Sequence, residues 1–355
     1  MRILVVSTPV GPWGSGRGGG VELTATALVA GLLQRGHAVT VLAAEGSRLP
    51  ASCTGATLWL AAGEPQPSCQ HLDRETPITM PADGLLPALW QRALAHQADF
   101  SVILNLAYDW LPLWLTPLAA TPLAHLVSMG SVGVAMDRVI SQISATHHGH
   151  LAFHTASQAA DFPLTGPPLL VGNGFDLERY RFCPDAKHQL GWAGRIAPEK
   201  GLEDAAWVAA QLGLPLWVWG YPEDPGYAEA VAASVPDGTL VWRGFVPTEQ
   251  LQAELGPCRA LLNTPKWNEA FGNVVVEAMA CGVPVAAYAR GGPGELVLEG
   301  VNGALARPDD RRDLLEATGR AMAVARPGCR DWAEQHCSQE AFAGRIEAWL
   351  EKLTG

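Results

Sequence analysis

Residues 2–45 read RILVVSTPVGPWGSGRGGGVELTATALVAGLLQRGHAVTVLAAE, which alternates strand, glycine-rich loop, helix and strand. The apolar run RILVVST predicts a buried first strand, and HAVTVLAAE predicts a second one. Between them, a helix has one apolar face, formed by Val21, Leu28, Leu32 and Leu33, and Gly36 is placed to end that helix. A strand–helix–strand unit implies parallel strands, so the chain opens as an α/β protein.

A second alternating series begins near Leu169, with the strand-like segments LGWAGRI, PLWVWG, TLVWRGF, RALLNTP and VPVAAYA. Two successive series predict two doubly wound, Rossmann-like parallel-sheet domains with a cleft between them. Pro, Thr and Gly cluster at residues 163–168 and mark the boundary. We therefore expect domains at residues 1–165 and 166–335, followed by an amphipathic helix at 336–355.

Two finer structural expectations follow from composition along the chain. Residues 50–82 are rich in Pro, Ser and Gly and predict irregular structure. Four tryptophans fall within predicted strands of the second half, where we expect them in the core: Trp192, Trp217, Trp219 and Trp242.

Composition narrows the class of protein. The 355 residues carry a formal net charge of −11 and no run of Lys or Arg, which argues against a nucleic-acid-binding surface. Seven scattered cysteines without a Cys-x-x-Cys pair fit a reducing compartment. The longest apolar stretch, residues 111–127, contains three prolines and is unlike a membrane-spanning helix. We expect a cytoplasmic protein without an integral membrane segment, and the sequence leaves its oligomeric state open.

The glycine loop at residues 11–20 could contact an anion through backbone N–H groups. Gly14, Gly16 and Gly19 match the dinucleotide-binding pattern literally, so a dinucleotide-dependent oxidoreductase is one alternative. However, a long loop with two prolines replaces the tight turn of that fold. A flexible loop without a ligand is the other alternative, although Gly18–Gly20 directly before a helix favours ligand contact.

The segment GRIAPEKG, residues 194–201, holds the second candidate anion site. Arg195 offers a fork of donors and Lys200 a point charge, a pair that suits a diphosphate leaving group. Two solvated surface cations are the plain alternative. Because the segment follows a predicted strand in the same half as a pair of glutamates, we favour ligand binding.

That pair lies in EAFGNVVVEAMACGVP, residues 269–284. Glu269 precedes a helix start at Gly272 and Asn273, and Glu277 falls inside the helix. Eight positions at helical rise separate the carboxylates by about 12 Å. With a helix N-terminus between them, this spacing suits an elongated ligand that has hydroxyl-rich ends and a central phosphate. A sugar nucleotide has that shape, and no Asp-x-Asp pair or histidine spacing predicts a metal site.

Together these motifs resemble the family-4 retaining glycosyltransferases of the GT-B fold. The resemblance implies that Glu269 contacts the donor hexose, Glu277 the ribose, and Arg195 and Lys200 the diphosphate. It also implies that the last helix crosses back to the first domain. Further donor contacts are implied for the glycine loop, the segment after Glu269 and the strand-end GFVP, namely at Gly18, Gly19, Gly20, Phe271, Gly272, Asn273, Val274, Val276, Phe245 and Val246.

The sequence departs from the family pattern at two places. Many members carry a His-Asp or His-Gly pair after the middle strand of the first domain, where this chain has Ser128-Met129, with His125 slightly earlier. The family's Gly-Gly-x-Pro-Glu step appears here as Gly-Gly-Pro-Gly-Glu, ending at Glu295.

Within the family, TPVGPWGSGRGGGVELT and NLAYDWLPLWLTP look like the cyanobacterial UDP-glucose:tetrahydrobiopterin glucosyltransferases. The resemblance implies transfer from UDP-glucose to a reduced pterin, without a metal and with retention of configuration. Another small-molecule or lipid acceptor, and a non-catalytic sugar-nucleotide-binding protein, are the alternatives. The acceptor-side candidates are Trp13, Tyr108, Asp109, His125 and Met129.

Overall fold

The computed structural model describes residues 1–15, 20–67 and 73–355, which divide into two compact units. The first unit comprises Met1–Phe175 and Gln339–Gly355, and the second comprises Asp176–Ser338. Each contains a parallel β-sheet with helices, seven strands in the first and six in the second. This confirms the predicted fold class of two Rossmann-like α/β domains.

The sheet of the first unit has the order β3-β2-β1-β4-β5-β6-β7. Its strands are β1 (Arg2–Val6), β2 (Ala38–Ala44), β3 (Thr57–Ala61), β4 (Val102–Asn105), β5 (Leu123–Val127), β6 (Leu151–Phe153) and β7 (Leu169–Leu170). Its helices are α1 (Gly20–Gln34), α2 (Leu85–Ala95), α3 (Trp110–Leu115), α4 (Val134–Thr146), α5 (Ala156–Ala159) and α13 (Gln339–Thr354).

Alternate residues of β1 pack into two different hydrophobic clusters, because successive side chains of a strand point to opposite faces. Ile3 and Val5 join one cluster with α1, and Leu4 and Val6 join the other with α2. Helix α13 belongs to the first of these clusters, to which it contributes Phe342, Ile346, Trp349 and Leu350. The closing helix of the chain is therefore part of the core of the first unit.

Strand β3 corrects one expectation, since residues 50–82 are not wholly irregular. Residues 57–61 pair in parallel with β2, from Thr40 against Thr57 to Ala44 against Ala61. The strand lies at the edge of the sheet and pairs on one side only. Its short sequence, TLWLA, is flanked by turn-forming residues that obscured it in the pattern.

The sheet of the second unit has the order β10-β9-β8-β11-β12-β13. Its strands are β8 (Leu190–Ala193), β9 (Leu216–Trp219), β10 (Leu240–Gly244), β11 (Leu261–Asn263), β12 (Val285–Tyr288) and β13 (Gly303–Ala306). Its helices are α6 (Leu202–Leu212), α7 (Pro225–Ala233), α8 (Thr248–Leu255), α9 (Asn273–Ala280), α10 (Gly291–Leu296), α11 (Arg311–Ala321) and α12 (Arg326–Cys337).

The burial of the tryptophans in this sheet depends on the strand that carries them. Trp192 and Trp219 are 2% exposed, as expected for core residues. Trp217 is half-buried, and Trp242 is 43% exposed, so the expectation of a core position for Trp242 was wrong. Trp242 lies on β10, an edge strand that has a neighbour on one side only.

Candidate active site

The turn between β8 and α6 carries both cations that the sequence singled out. Residues Pro198–Lys200 form a single helical turn that ends at Gly201, whose φ is 64°. A Cβ on Gly201 would lie 2.1 Å from the carbonyl oxygen of Thr264, so only glycine fits there. The Thr264 hydroxyl donates hydrogen bonds to the carbonyls of Lys200 and Gly201, at 3.0 and 2.8 Å. The hydrogen bonds of Thr264 thus connect the end of β11 to the turn that carries Lys200.

The strand order explains why these two turns meet. Strands β8 and β11 are neighbours at the point where the order of the sheet reverses, 10-9-8 on one side and 11-12-13 on the other. In open parallel sheets, ligands bind beyond the carboxyl ends of the strands at such a switch point. Lys200 follows β8 and Glu269 follows β11, so both side chains belong to this position.

Lys200 and Glu269 form an ion pair, with 2.8 Å between Nζ and Oε1. Their side chains are only 16% and 18% exposed, so the pair is partly screened from water. Lys200 Nζ also lies 5.1 Å from the centre of the Trp267 ring, a cation–π distance. The indole Nε1 of Trp267 is buried and has no hydrogen-bond partner in the described part of the chain.

The turn that carries Glu269 is held by the two glycines that start α10. The amide of Gly292 donates to the Glu269 carbonyl at 2.7 Å. A Cβ on Gly291 would lie 2.5 Å from the Glu269 nitrogen, and one on Gly292 would lie 2.2 Å from the Phe271 oxygen. The Gly-Gly step that begins the Gly-Gly-Pro-Gly-Glu sequence therefore permits close packing against the Glu269 turn.

Helix α9 begins directly after this turn. Gly272 precedes it with φ of 96°, and Asn273 and Val274 are its half-buried first residues. The first amides of a helix lack intrahelical acceptors and attract anions. The side chains of Phe271 and Val276 are 6% and 0% exposed, so they pack in the core. The backbone at the helix start is therefore the part of this segment that is open to a ligand.

Glu277 lies in the interior of α9 and is 8% exposed. Its Oε1 accepts a hydrogen bond of 3.0 Å from the hydroxyl of Tyr180. Burial raises the pKa of Glu277 above its ordinary value, and the hydrogen bond from Tyr180 opposes part of that rise. Tyr180 was not among the predicted residues, because it lies 97 positions away and no local pattern marks it.

Arg195 is 36% exposed in its side chain and contacts two carboxylates. Its Nη2 lies 3.0 Å from Glu199, and its Nη1 contacts Glu223 on the turn after β9. No local pattern in the sequence marks Glu223 as a site residue. Arg195 therefore lies on the same turn as Lys200, but its guanidinium group is paired with the carboxylates of Glu199 and Glu223.

Phe245 and Val246, two of the predicted donor contacts, follow the edge strand β10. Phe245 is 82% exposed, and Val246 is half-buried. The preceding Gly244 has φ of 71°, which turns the chain out of the strand. An exposed ring at this position is available for stacking.

The acceptor-side candidates of the first unit are largely buried. His125 is 1% exposed on β5, with its ring nitrogens 3.2 Å from Asn105 Nδ2 and 2.9 Å from Thr116 Oγ1. Burial lowers the pKa of His125 to about 3, so the ring is neutral. This histidine is enclosed by its own hydrogen bonds and does not line an open site.

The other acceptor-side candidates have mixed surroundings. Asp109 is 9% exposed before α3, and burial raises its pKa. The Tyr108 hydroxyl donates to the Gly130 carbonyl at 3.0 Å. Met129 is half-buried, and its carbonyl accepts from Gln158 Nε2 at 3.0 Å. Trp13 is 4% exposed and lines a small pocket together with Ser7 and Glu22.

Part of the glycine loop belongs to the residues that the structure describes. Gly20 is exposed and is the first residue of α1. Gly18 and Gly19 lie outside the described residues.

No group of three or more His, Cys, Asp or Glu side chains in residues 1–15, 20–67 and 73–355 could hold a metal ion. Over the same residues, no helix combines the length and the apolarity needed to cross a bilayer. The six cysteines in this part of the chain are free.

Residues 187–323 match the family model for group 1 glycosyl transferases. The 2-deoxystreptamine glucosyltransferase of Streptomyces kanamyceticus is 31% identical over 179 residues, 47% of this chain and 46% of that protein. The D-inositol 3-phosphate glycosyltransferase of Mycolicibacterium smegmatis is 30% identical over 173 residues, 47% of this chain and 40% of that protein. The chain thus matches less than half the length of either relative.

Solved structures resemble the whole chain. Anabaena HepE, crystallised with UDP, has a TM-score of 0.75 at 20% identity and covers 99% of this chain and 100% of its own. AviGT4, a glycosyltransferase involved in avilamycin A biosynthesis, has a TM-score of 0.72 at 21% identity, covering 100% of this chain and 98% of its own. Residues 187–323 of the second unit are therefore similar to group 1 glycosyl transferases, and the chain has the GT-B fold. These findings do not support the dinucleotide-dependent oxidoreductase.

Proposed function

We propose that the chain is a retaining glycosyltransferase that moves glucose from UDP-glucose to the side-chain hydroxyl of a reduced pterin. The single observation that carries the transferase assignment is the Lys200–Glu269 pair, 2.8 Å apart at the switch point of the second sheet. The pterin acceptor is proposed from the resemblance of residues 8–24 and 105–117. In the proposed site, Lys200 binds the diphosphate and Glu269 binds the hexose. The family match over residues 187–323 and the UDP complex of HepE support the nucleotide-sugar donor.

In the proposed reaction, the bond between the glucose C1 and the diphosphate oxygen breaks, and UDP leaves with the electron pair. Lys200, Arg195 and the first amides of α9 stabilise the negative charge that develops on the diphosphate. Glu269 orients the hexose through its hydroxyls, and Glu277 holds the ribose. Binding a sugar hydroxyl at Glu269 and phosphate at Lys200 replaces the ion pair that the two side chains form with each other.

The acceptor oxygen then forms its bond to C1 on the face that UDP vacates, within an ion pair, and its proton passes to the departing phosphate oxygen. Attack on the vacated face retains the configuration at C1. No donor-site carboxylate acts as a covalent nucleophile in this scheme, because the acceptor oxygen attacks C1 directly.

The test is transfer with UDP-glucose and a panel of tetrahydrobiopterin, 2-deoxystreptamine, inositol and a lipid hydroxyl acceptor, scored by product mass. The anomeric coupling constant of the product reports retention or inversion. We expect an α-glucoside of the pterin. Transfer only to another acceptor would overturn the pterin assignment, and an oxidised or unchanged donor would overturn the transferase itself.

Two variants connect the activity to the ion pair. Glu269→Ala and Lys200→Ala should each reduce turnover by about 10²-fold or more, because each removes a group that acts on the transition state. Glu229→Ala and Lys187→Ala are matched controls at exposed positions of the same unit. Near wild-type turnover in the first two variants would refute the roles of Glu269 and Lys200.

A further inference from the structure

Lys266 lies on the segment that leads from β11 to Glu269. Thr264, two positions before it, hydrogen-bonds to the turn that carries Lys200, and Glu269 follows three positions after it. The amide of Lys266 donates to the Glu199 carbonyl at 2.8 Å, so its backbone also contacts the turn that carries Lys200. The placement of Lys266 therefore bears on both members of the Lys200–Glu269 pair.

The side chain of Lys266 reaches from this segment to the first turn of α6. Its Nζ lies 2.5 Å from Oδ2 of Asp204 and 3.4 Å from Oε1 of Glu203. Helix α6 begins two residues after Lys200. The ion pair of Lys266 with Asp204 therefore links the segment that carries Glu269 to the helix that follows Lys200.

Asp204 is a buried carboxylate that accepts from two donors. It is 7% exposed, and its Oδ2 also accepts a hydrogen bond of 2.7 Å from the hydroxyl of Tyr288, a fully buried residue of β12. A buried carboxylate is costly without its cation, so the fold strongly favours the paired arrangement. Because Tyr288 fixes the carboxylate from one side, Lys266 has one defined position in which to bind it.

Two further charged residues hold the same segment. Arg290 Nη1 donates to the Pro265 carbonyl at 3.0 Å. The guanidinium group of Arg290 also pairs with Asp309, whose Oδ1 lies 3.7 Å from Lys266 Nζ. Among the non-glycine residues that the structure describes, only Asp309 has a positive φ, of 62°. A backbone conformation of this kind persists where the surrounding contacts hold it, so Asp309 belongs to the same network.

We propose that Lys266 is a positioning residue for the transfer reaction. By binding the buried carboxylate of Asp204, it fixes the segment that carries Glu269 relative to the turn that carries Lys200. The proposal rests on the proposed function, in which Glu269 binds the hexose and Lys200 binds the diphosphate of one donor molecule. A displacement of about 1 Å at such a site costs about 10²-fold in rate, although no group that touches the donor is removed.

The first test is Lys266→Met, which keeps most of the side-chain length and removes the ammonium group. Turnover is measured with UDP-glucose and the acceptor of the panel that yields product, and kcat should fall about tenfold or more because the hexose is misplaced. UDP affinity, measured by calorimetry, should change less than about twofold, because UDP has no hexose and retains Arg195, Glu277 and the α9 amides. Lys187→Met, at an exposed position of the same unit, is the control and should keep the wild-type kcat.

The double variant Lys266→Met with Asp204→Asn separates positioning from stability. Lys266→Met alone leaves the charge of Asp204 buried without its closest cation, so the midpoint of thermal unfolding should fall. Asp204→Asn removes that charge and keeps an oxygen for the hydroxyl of Tyr288, so the double variant should regain most of the lost midpoint. Its kcat should nevertheless stay within about threefold of that of Lys266→Met, because the link between the two segments is still absent.

A double variant that regains both the unfolding midpoint and the wild-type kcat would overturn the positioning role, since the ion pair would then only stabilise the fold. An unchanged kcat in Lys266→Met would overturn it as well and leave the proposed function intact. So would a loss of UDP affinity as large as the loss of kcat, because the effect would then not depend on the hexose. Absence of transfer to every acceptor of the panel in wild type would refute the proposed function itself.

Discussion

The hydroxyl of Tyr180 donates a 3.0 Å hydrogen bond to Oε1 of Glu277, the carboxylate inside α9. Both side chains are buried, with 6% of Tyr180 and 8% of Glu277 exposed. The bond supplies Glu277 with a partner that water would otherwise provide. The bond joins the first residues of the second unit to helix α9, which carries Glu277. We therefore expect that changing either Tyr180 or Glu277 alters the stability of this contact.

Glu277→Gln should separate stability from binding. Burial raises the pKa of Glu277 above its ordinary 4.5, so the folded protein disfavours the charged form. The resulting penalty is absent at pH values below about 4.5 and grows as the pH rises through the folded-state pKa. The variant should therefore be more stable than wild type at pH 7 but not at pH 4, by chemical denaturation. Its affinity for UDP should fall about tenfold, because a charge-assisted hydrogen bond to the ribose is lost.

Tyr180→Phe tests the same hydrogen bond from the donor side. It leaves the buried carboxyl without its donor and should lower the free energy of unfolding at pH 7 by about 1–3 kcal/mol. An unchanged unfolding free energy would show that another group satisfies Glu277.

Gly201→Ala and Gly213→Ala form a matched pair at the two ends of α6. Both glycines have left-handed backbone, with φ of 64° and 63°. A Cβ on Gly213 would meet nothing within 4 Å, whereas one on Gly201 would lie 2.1 Å from Thr264 O. Gly213→Ala should cost about 1–2 kcal/mol from backbone strain. Gly201→Ala should cost about 2 kcal/mol more and weaken UDP binding, because Lys200 moves with the turn. Equal losses in the two variants would contradict the contact.

Glu223→Gln should strengthen the binding of UDP. Arg195 shares its charge with Glu223 and Glu199, and a diphosphate competes with both. Removing one carboxylate should raise UDP affinity by about two- to fivefold, a small effect because the pair is partly exposed and screened. Calorimetry at two salt concentrations checks this, with Glu229→Gln as the control. A weaker complex would mean that Glu223 orients Arg195 for the ligand.

His125 should make the first unit acid-sensitive. Burial lowers the pKa of this ring to about 3, whereas the unfolded chain protonates it near 6.5. Its contribution to stability is therefore complete above pH 6.5 and is lost as the pH falls toward 3, at about 1.4 kcal/mol per pH unit. Hydrogen exchange of the β5 amides as a function of pH measures this slope. His125→Gln should flatten the slope, and His148→Gln at an exposed position should not; equal slopes would contradict the assignment.

Several features could be predicted from the sequence because they depend on neighbours along the chain. The period of apolar residues defines the strands and helices, and Gly36, with φ of 81°, follows α1 as the pattern predicts. Short edge elements escaped prediction. β3 lies within a turn-rich stretch, and Trp242 reads as a core residue although its strand has a neighbour on one side only. The pattern of hydrophobic residues indicates whether a segment is a helix or a strand, but it does not show whether a strand lies at the centre or at the edge of its sheet.

By itself, the sequence determined two α/β units and placed Arg195, Lys200 and Glu269 at the ends of strands. Only the tertiary structure decided that β8 and β11 are neighbours, which brings Lys200 within 2.8 Å of Glu269. It also decided that Tyr180 donates a hydrogen bond to Glu277 and that Ser7 and Glu22 line the same pocket. The physical reason is that strand order and long-range side-chain contacts are chosen by packing over the whole core, whereas periodicity and capping act over a few residues.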